Sequence, residues 1–416
     1  MTKAIKVLAI MEATTVSGPA KNLIDFSRRA RVNDDCSNDL PAVEVSIATF
    51  HRGHSDGSHI APGLPSNGDD QTAIASEVPN AFVAAARAAG IEVEIIGERF
   101  RFDRRVLSDI RAIVGRRQPD IVQTHNVKSH FLLKLSGLWR HYPWIAFQHG
   151  YTTTDFKMQV YNQLDRWSLP SADLVVAVCN SFARNLARSG VPAERIRVQH
   201  NSVNPALKVS RQETSALKQR MGLSEGERVV LVVGRLSYEK GHVDLINSLA
   251  HLRRTNPKLN FKLVIVGDGP ERGRVERAIA AHELRDQVVF CGQVSDTRPF
   301  YAVADVLALP SHSEGSPNVV FEAMASGLPV VACAVGGVPE IVEHERSGLL
   351  VAPGDVLAMA AGIARLMDDA NLARTLAASA SELVAARYSP ETYRHSLVEL
   401  YSGLMRSRLI ADRRIT

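Results

Sequence analysis

Two carboxylates, Glu314 and Glu322, stand eight positions apart in the run His312–Ser–Glu–Gly–Ser–Pro–Asn–Val–Val–Phe–Glu322. A helix start lies between them. Ser316 suits an N-cap and Pro317 the first helical position. Val319, Val320, Ala323 and Met324 supply an apolar face, Gly327 suits the C′ position, and Pro329 prevents continuation. Glu314 therefore belongs to the loop before the helix. Glu322 lies inside it, four residues after Asn318 and on the same face. The backbone amides of Asn318, Val319 and Val320, at the positive end of the helix dipole, form a site for an anion. A diphosphate on those amides, one carboxylate on ribose hydroxyls and the other near a sugar would suit a nucleotide-sugar. An ordinary capped surface helix preceded by an acid gives the same pattern, so this stretch alone leaves both readings open.

Two further stretches bear on the choice. Gly234–Arg–Leu–Ser–Tyr–Glu–Lys–Gly241 follows an apolar run and places Arg235 and Lys240 beyond a strand end. The planar guanidinium and the compact ammonium both suit phosphate oxygens, and Gly241 permits close backbone approach. Lys262–Leu–Val–Ile–Val–Gly–Asp–Gly–Pro270 is a strand followed by a tight turn at Gly267. That turn lacks the third glycine of a dinucleotide fingerprint, which counts against an NAD enzyme. With no Asp-x-Asp element in the chain, no metal is expected to bridge a diphosphate. Charge on a leaving phosphate would then fall to Arg235, Lys240 and the amides of 318–320. No cofactor is expected.

These residues need a scaffold that presents strand ends. In the first half, apolar runs at 7–10, 43–49, 92–96, 121–124, 144–148, 174–178 and 196–198 alternate with helical patterns near 19–31, 79–89, 103–117, 128–139, 155–168 and 180–190. In the second half, strands at 229–233, 262–266, 288–290, 306–310, 330–333 and 348–351 alternate with helices near 213–221, 241–254, 270–283, 298–304, 316–326 and 355–369. From Ser389 the tail is helical to the end. Such alternation predicts an α/β protein with two parallel, doubly wound sheets, whose ligands sit beyond the carboxyl ends of the strands. Polar residues gather at those ends: Ser17–Gly18 after the first strand, Thr124–His125–Asn126 after the fourth, and Gln148–His149–Gly150 after the fifth. His125 reads equally as a hydrogen-bonded loop residue, and His149 reads more as a site residue than as one. Residues 51–80, rich in Gly, Pro, Asn and Asp, read as a mobile loop. Its histidines His51, His54 and His59 are better explained by a solvated loop than by metal binding.

Composition narrows the class. A chain of 416 residues, 45% hydrophobic and 22% charged, is ordinary for two globular domains. The net charge of +5 is compatible with anionic ligands. Aromatic residues at 6% offer no stacking platform, and no nucleic-acid signature occurs. Cys36, Cys179, Cys291 and Cys333 are scattered without metal-ligand spacing, and Cys179 and Cys333 end apolar runs as core thiols would. The expected setting is a reduced cytoplasm. No apolar run reaches a membrane span, and the first residues read as a buried strand rather than a signal peptide.

Taken together, these motifs resemble the retaining GT-B glycosyltransferases of family 4, or glycosyl transferases group 1. The resemblance covers nearly the whole chain. It is most specific from Glu314 to Pro353, with Gly327–Leu–Pro–Val–Val331, Gly336–Gly–Val–Pro–Glu340 and Gly348–Leu–Leu–Val351, joined by the 234–241 and 267–270 stretches. Where this family often has Gly–Gly in the first loop, this chain has Ser17–Gly18, which would reshape the pocket floor. The resemblance implies two Rossmann-like domains facing a cleft. The acceptor domain would span 1–205, the donor domain 206–389, and the helix of about 390–416 would pack back on the first. It implies a UDP- or GDP-sugar donor, a glycan or lipid-linked acceptor, and transfer without metal that keeps the anomeric configuration. Residue by residue, Arg235 and Lys240 match the diphosphate pair, Glu322 the ribose-binding acid, Glu314 the acid near the transferred sugar, His149 a histidine at the reaction centre, and Gly18 the glycine beside the phosphate. Asn318, Val319, Val320 and Gly267 complete the donor side, with His125 and Asn126 on the acceptor side. A nucleotide-sugar epimerase of the same shape and a non-catalytic nucleotide-sugar sensor are the alternatives.

One surface raises a further expectation. Residues 99–117 carry seven arginines, while Val106, Leu107, Ile110, Ile113 and Val114 recur at helical spacing. Arg104 and Arg111 fall on the opposite, basic face, with Arg105 and Arg116 beside them; a solvated face of a soluble enzyme is the first reading, and peripheral contact with an anionic membrane surface the second.

Overall fold

Runs such as Val229–Val233 and Val330–Cys333, aliphatic on both faces, form strands covered by helices on both sides. A computed structural model describes residues 3–31, 40–52, 80–100, 103–150, 156–204, 209–224 and 226–412. It contains two compact units. The first comprises Met1–Val176, Leu186–Arg197 and Arg394–Thr416, and the second Ala177–Asn185 and Val198–Tyr393.

The first unit holds a seven-stranded sheet in the order β3-β2-β1-β4-β5-β6-β7. Its strands are β1 (Ile5–Met11), β2 (Val43–Arg52), β3 (Glu92–Glu98), β4 (Ile121–Thr124), β5 (Trp144–Gln148), β6 (Leu174–Ala177) and β7 (Ile196–Val198). The helices between them are α1 (Gly18–Ala30), α2 (Ala81–Ala88), α3 (Arg105–Arg117), α4 (Val127–Ser136), α5 (Phe156–Ser168) and α6 (Asn180–Arg188). The strand order reverses between β1 and β4, which pair in parallel from Val7↔Ile121 to Ile10↔Thr124. Polar side chains after these two strands therefore share one crevice at a topological switch point.

The second unit opens with α7 (Arg211–Arg220), capped by the Ser210–Glu213 box. Its six-stranded sheet has the order β10-β9-β8-β11-β12-β13. The strands are β8 (Arg228–Val233), β9 (Phe261–Val266), β10 (Val288–Gly292), β11 (Val306–Leu309), β12 (Val330–Cys333) and β13 (Leu349–Val351). The helices are α8 (His242–Thr255), α9 (Arg272–Ala281), α10 (Arg298–Val303), α11 (Asn318–Ala325), α12 (Val338–Ile341), α13 (Val356–Asp368) and α14 (Ala370–Arg387). Here the order reverses between β8 and β11. The last helix, α15 (Pro390–Asp412), carries Tyr401 and Arg408 into the first unit. There the Tyr401 ring meets Phe26 edge-on at 5.9 Å, and Arg408 pairs with Asp173 at 3.0 Å.

The structure departs from the sequence expectations in several places, the short helix α12 among them, which was not expected. Helix α11 begins at Asn318 with Pro317 in the cap position and no side-chain cap. Ser316 does not cap it, because its hydroxyl instead accepts the backbone N–H of Asn201 at 3.1 Å. Strand β2 runs through His51 and Arg52, with His51 opposite Gly97, so the expected loop starts later. Asn80, at its far end, caps α2 by accepting from the Val83 N–H. His54, His59 and the rest of that stretch lie outside the described residues. Helix α14 fills a segment for which no element was expected.

Cys179 and Cys333 are buried free thiols, and Cys36 is outside the described residues. On α3, Val106, Ile110, Ile113 and Val114 are buried as expected, while Leu107 is only half-buried. Part of its basic face is engaged within the first unit. Arg111 donates to the Ser136 carbonyl at the end of α4, Arg116 pairs with Glu94, and Arg117 pairs with Glu92 and Glu94. Among the described residues no helix is long and apolar enough to cross a membrane.

Candidate active site

In the second unit, the loops after β8 and β11 face each other across the switch point. The Gly234–Gly241 loop leaves β8, and a short turn at Tyr238–Lys240 delivers Lys240. Its Nζ lies 2.7 Å from Oε1 of Glu314, in the loop after β11. The Ser311 hydroxyl donates to the same oxygen at 2.7 Å. Glu314 is buried, and this pair of donors offsets the cost of desolvating its charge. Two close backbone approaches fix these loops. Gly241 has φ +65°, and a Cβ there would stand 2.0 Å from the Pro310 carbonyl oxygen. Gly336, at φ +56°, lies so near the Glu314 carbonyl that a Cβ would come within 1.7 Å of its oxygen. Arg235 is exposed, and its guanidinium makes no ion pair among the described residues.

The start of α11 is held from outside the helix. Asn201 Nδ2 donates to the Ser316 carbonyl at 2.7 Å and to Asn318 Oδ1 at 2.8 Å. The Val320 N–H is used by the Pro317 carbonyl at 3.1 Å. The amides of Asn318 and Val319 have no acceptor among the described residues, as the first turn of a helix dictates. Further along, Oε2 of Glu322 accepts from the Tyr301 hydroxyl at 2.9 Å and from the Thr297 hydroxyl at 3.4 Å, both contributed by the α10 region. Burial and the neighbouring carboxylate push the Tyr301 phenol well above its usual pKa, so it remains a donor at neutral pH. Gly267, at φ +139°, fits beneath the Gly234 carbonyl and donates its N–H to Gly292.

In the first unit, Gly18 is the first residue of α1, just beyond β1. His125 and His149 follow β4 and β5 and stack in parallel, with ring centroids 5.5 Å apart. His125 is also stacked on Phe147 at 4.9 Å and is 5% exposed. Both of its ring nitrogens are engaged, Nε2 with Gln123 at 2.6 Å and Nδ1 with His149 Nε2 at 3.2 Å. Burial lowers its pKa well below the usual value and lowers that of His149 to about 4, so both rings are neutral at pH 7. The Nδ1 atom of His149 is buried without a partner. Below it, Gln148 donates to Asp165, which also binds His130, and accepts the Gly150 N–H at 2.8 Å, tying down the turn that carries His149. The Asn126 side chain caps α4 by accepting the Ser129 N–H and donates to the Glu12 carbonyl at 3.2 Å.

The structure thus unites Lys240 with Glu314, Glu322 with α10, and His125 with His149. Tyr301, Thr297, Ser311 and Asn201 were not anticipated. Each acts through a partner distant in sequence or already hydrogen-bonded, and only the polar residues flanking strands and helices hint at them.

Two doubly wound units, one of them with a lysine–glutamate pair and a helix start at its switch point, are the architecture of the GT-B class. Two family models match the chain, "Glycosyl transferases group 1" over residues 213–383 and "Glycosyltransferase Family 4" over residues 58–207. An uncharacterized glycosyltransferase of Methanocaldococcus jannaschii is 30% identical over 312 residues, covering 70% of this chain and 77% of that protein. The 2-deoxystreptamine glucosyltransferase of Streptomyces kanamyceticus is 36% identical over 229 residues, or 54% of this chain and 59% of that one. Among solved structures, Anabaena Alr3699/HepE in complex with UDP aligns with a TM-score of 0.77 at 22% identity, covering 96% of this chain and 100% of that chain. The chain belongs to the glycosyl transferases group 1, family 4, and has the GT-B fold; it is a glycosyltransferase.

Proposed function

We propose that the protein is a retaining, metal-independent glycosyltransferase that moves a sugar from a UDP- or GDP-sugar to a hydroxyl of a glycan or lipid-linked acceptor. One observation carries this reading. A ribose-type acid held by a tyrosine, an unpaired arginine and two open amides occur in one unit with the Lys240–Glu314 pair. In this reading Glu322 accepts ribose hydroxyls, while Arg235 and the amides of Asn318 and Val319 take the diphosphate. Lys240 turns from Glu314 to phosphate when donor binds, releasing the Glu314 carboxylate for hydroxyls of the transferred sugar. Val320 and Gly267 contribute backbone shape beside the donor, and Gly18 a helix start beside the phosphate. His149 serves the sugar. His125 and Asn126, whose side chains are already committed, support that side rather than touch acceptor. The departing phosphate acts as base toward the acceptor hydroxyl, so the protein's contribution is charge and position. UDP is favoured over GDP because one solved neighbour, Anabaena Alr3699/HepE, is described in complex with UDP and with UDP-glucose.

The decisive experiment is a panel of UDP- and GDP-sugars scored by thermal shift, followed by transfer assays on the stabilising donor with and without chelator. We expect one donor family to stabilise the chain, acceptor-dependent consumption of that donor with retained configuration, and no effect of chelator. Acceptor-independent conversion of the donor would favour an epimerase. Binding without turnover of any acceptor would favour a sensor. A chelator-sensitive reaction would overturn the metal-free part.

A further inference from the structure

The hydrogen bonds behind His149 run in one direction, and they begin on the C-terminal helix. Tyr401 of α15 is fully buried, and its hydroxyl donates to Oε1 of Gln123 on β4, across 278 residues of sequence. An amide whose oxygen faces the tyrosine presents its NH2 on the other side. That group, Nε2 of Gln123, lies 2.6 Å from Nε2 of His125. An amide nitrogen can only donate, so Nε2 of His125 must accept. A neutral imidazole that accepts at Nε2 carries its proton on Nδ1. His125 Nδ1 is 3.2 Å from Nε2 of His149, so the proton is directed there, and His149 accepts in turn. His149, also neutral, then carries its own proton on Nδ1, the buried ring nitrogen without a partner. The parallel stacking of the two rings and the anchoring of Gly150 by Gln148 keep the geometry fixed.

We infer that Tyr401 is a positioning residue which, through Gln123 and His125, holds His149 in its Nδ1–H tautomer and makes it a hydrogen-bond donor rather than a base. Its role in turnover rests on the assignment of His149 to the transferred sugar. Because Nδ1 is buried here, that N–H can meet a hydroxyl or ring oxygen of the sugar only once donor binding uncovers it; it then takes no proton from the sugar. Chemically, the tautomer decides whether His149 offers a proton or a lone pair, and the choice is made at Tyr401, two side chains removed from His149.

The test uses the full chain labelled with 15N at histidine, with ring-nitrogen spectra recorded near pH 7.5. In the unsubstituted protein, both His125 and His149 are expected as Nδ1–H, with Nε2 showing the shift of an unprotonated nitrogen. Tyr401→Phe keeps the ring and removes the donor. Gln123 is then free to turn its amide over, and a measurable share of Nε2–H should appear at both histidines. Should Tyr401→Phe fail to fold, Gln123→Met, which deletes the relay at its middle, gives the same readout. An Nε2–H tautomer of His149 in the unsubstituted protein, or spectra unchanged by either substitution, overturns the relay. The second arm is kinetic. With the donor found by the panel, Tyr401→Phe should lower kcat about 3–10-fold while leaving the Kd for the nucleoside diphosphate within twofold. A tautomer change with unaltered kcat would uphold the relay and overturn both the role given to Tyr401 in turnover and the placement of His149 at the sugar. A parallel loss of nucleotide affinity would mark the substitution as merely structural and overturn the positioning role.

Discussion

At the scale of single residues, the orientation of Glu322 depends on Tyr301. A half-buried carboxylate can take several rotamers, and the 2.9 Å bond from the phenol, with the longer one from Thr297, selects one. Tyr301→Phe deletes that bond and little volume. Its expected effect is about 0.5–1.5 kcal/mol weaker binding of the nucleoside diphosphate, the net worth of one hydrogen bond. Glu322→Ala should cost more, about 1–3 kcal/mol, and Tyr301→Phe should cost nothing further in that background, because both act through the same contact. Calorimetry on the four proteins decides it; additive losses would mean that Tyr301 acts elsewhere. A matching comparison separates the cations. Arg235→Ala should weaken a nucleoside diphosphate much more than the bare nucleoside, and equal losses would remove Arg235 from the phosphate. The positions of Arg235, Lys240 and Glu314 in strand-end loops and of Glu322 on α11 of the second unit were legible in the sequence, because a helix start and two strand ends determine where neighbouring side chains go. Tyr301 was not. Its link to Glu322 crosses 21 residues and two elements, and nothing in local spacing distinguishes it from any other buried tyrosine.

At the scale of elements, the loop carrying Glu314 is shaped by another loop pressed against it. Gly336 and Gly337 follow β12, and the Gly337 N–H donates to the Gly315 carbonyl at 3.1 Å. A Cβ on Gly336 would require both a strained φ of +56° and displacement of the Glu314 backbone. Gly336→Ala is therefore expected to cost about 1–3 kcal/mol of stability, visible as a lower midpoint in urea. Because the displaced atom belongs to Glu314, kcat should fall at least tenfold even at temperatures where the variant is folded. Retained turnover in a destabilised variant would show that the exact position of Glu314 does not matter. The sequence indicated these glycines as a motif but gave no reason for them; the reason is a contact between loops about twenty residues apart. It also missed α14. In that helix Leu376, Ala377, Ala380 and Val384 are buried, but alanines populate its solvent side as well, so the contrast that marks an amphipathic helix is weak. The start of α11 was misplaced for a different reason. Ser316 has the chemistry of a cap, and only the tertiary claim of Asn201 on its hydroxyl prevents it from serving as one.

At the scale of the whole molecule, each unit contains a histidine that folding keeps neutral. His149 in the first unit and His242 in the second are both lowered to about 4, chiefly by burial, and both ring nitrogens of His242 are buried without partners. In the unfolded chain each titrates near 6.5. Between about pH 6.5 and 4 the unfolded chain therefore binds protons that the native one does not. Stability is complete above about pH 6.5 and falls as pH drops toward 4, by at most about 1.4 kcal/mol per pH unit for each histidine. The two units can be followed separately, since the only tryptophans, Trp139, Trp144 and Trp167, all lie in the first. Urea unfolding monitored by tryptophan fluorescence at pH 7.5, 6, 5 and 4.5 should show the first unit losing stability over this window, and circular dichroism should show the loss for the whole chain. His242→Leu removes the titrating ring from an environment that gives it no hydrogen bond. It should flatten the pH dependence of the dichroism transition while leaving that of fluorescence as it was. His125, in the same unit and also lowered by burial, adds to that loss, so a fluorescence midpoint that stays constant from pH 7.5 to 4.5 would mean that both His125 and His149 are protonated in the folded protein, and the neutral ring on which the donor role of His149 depends would be lost.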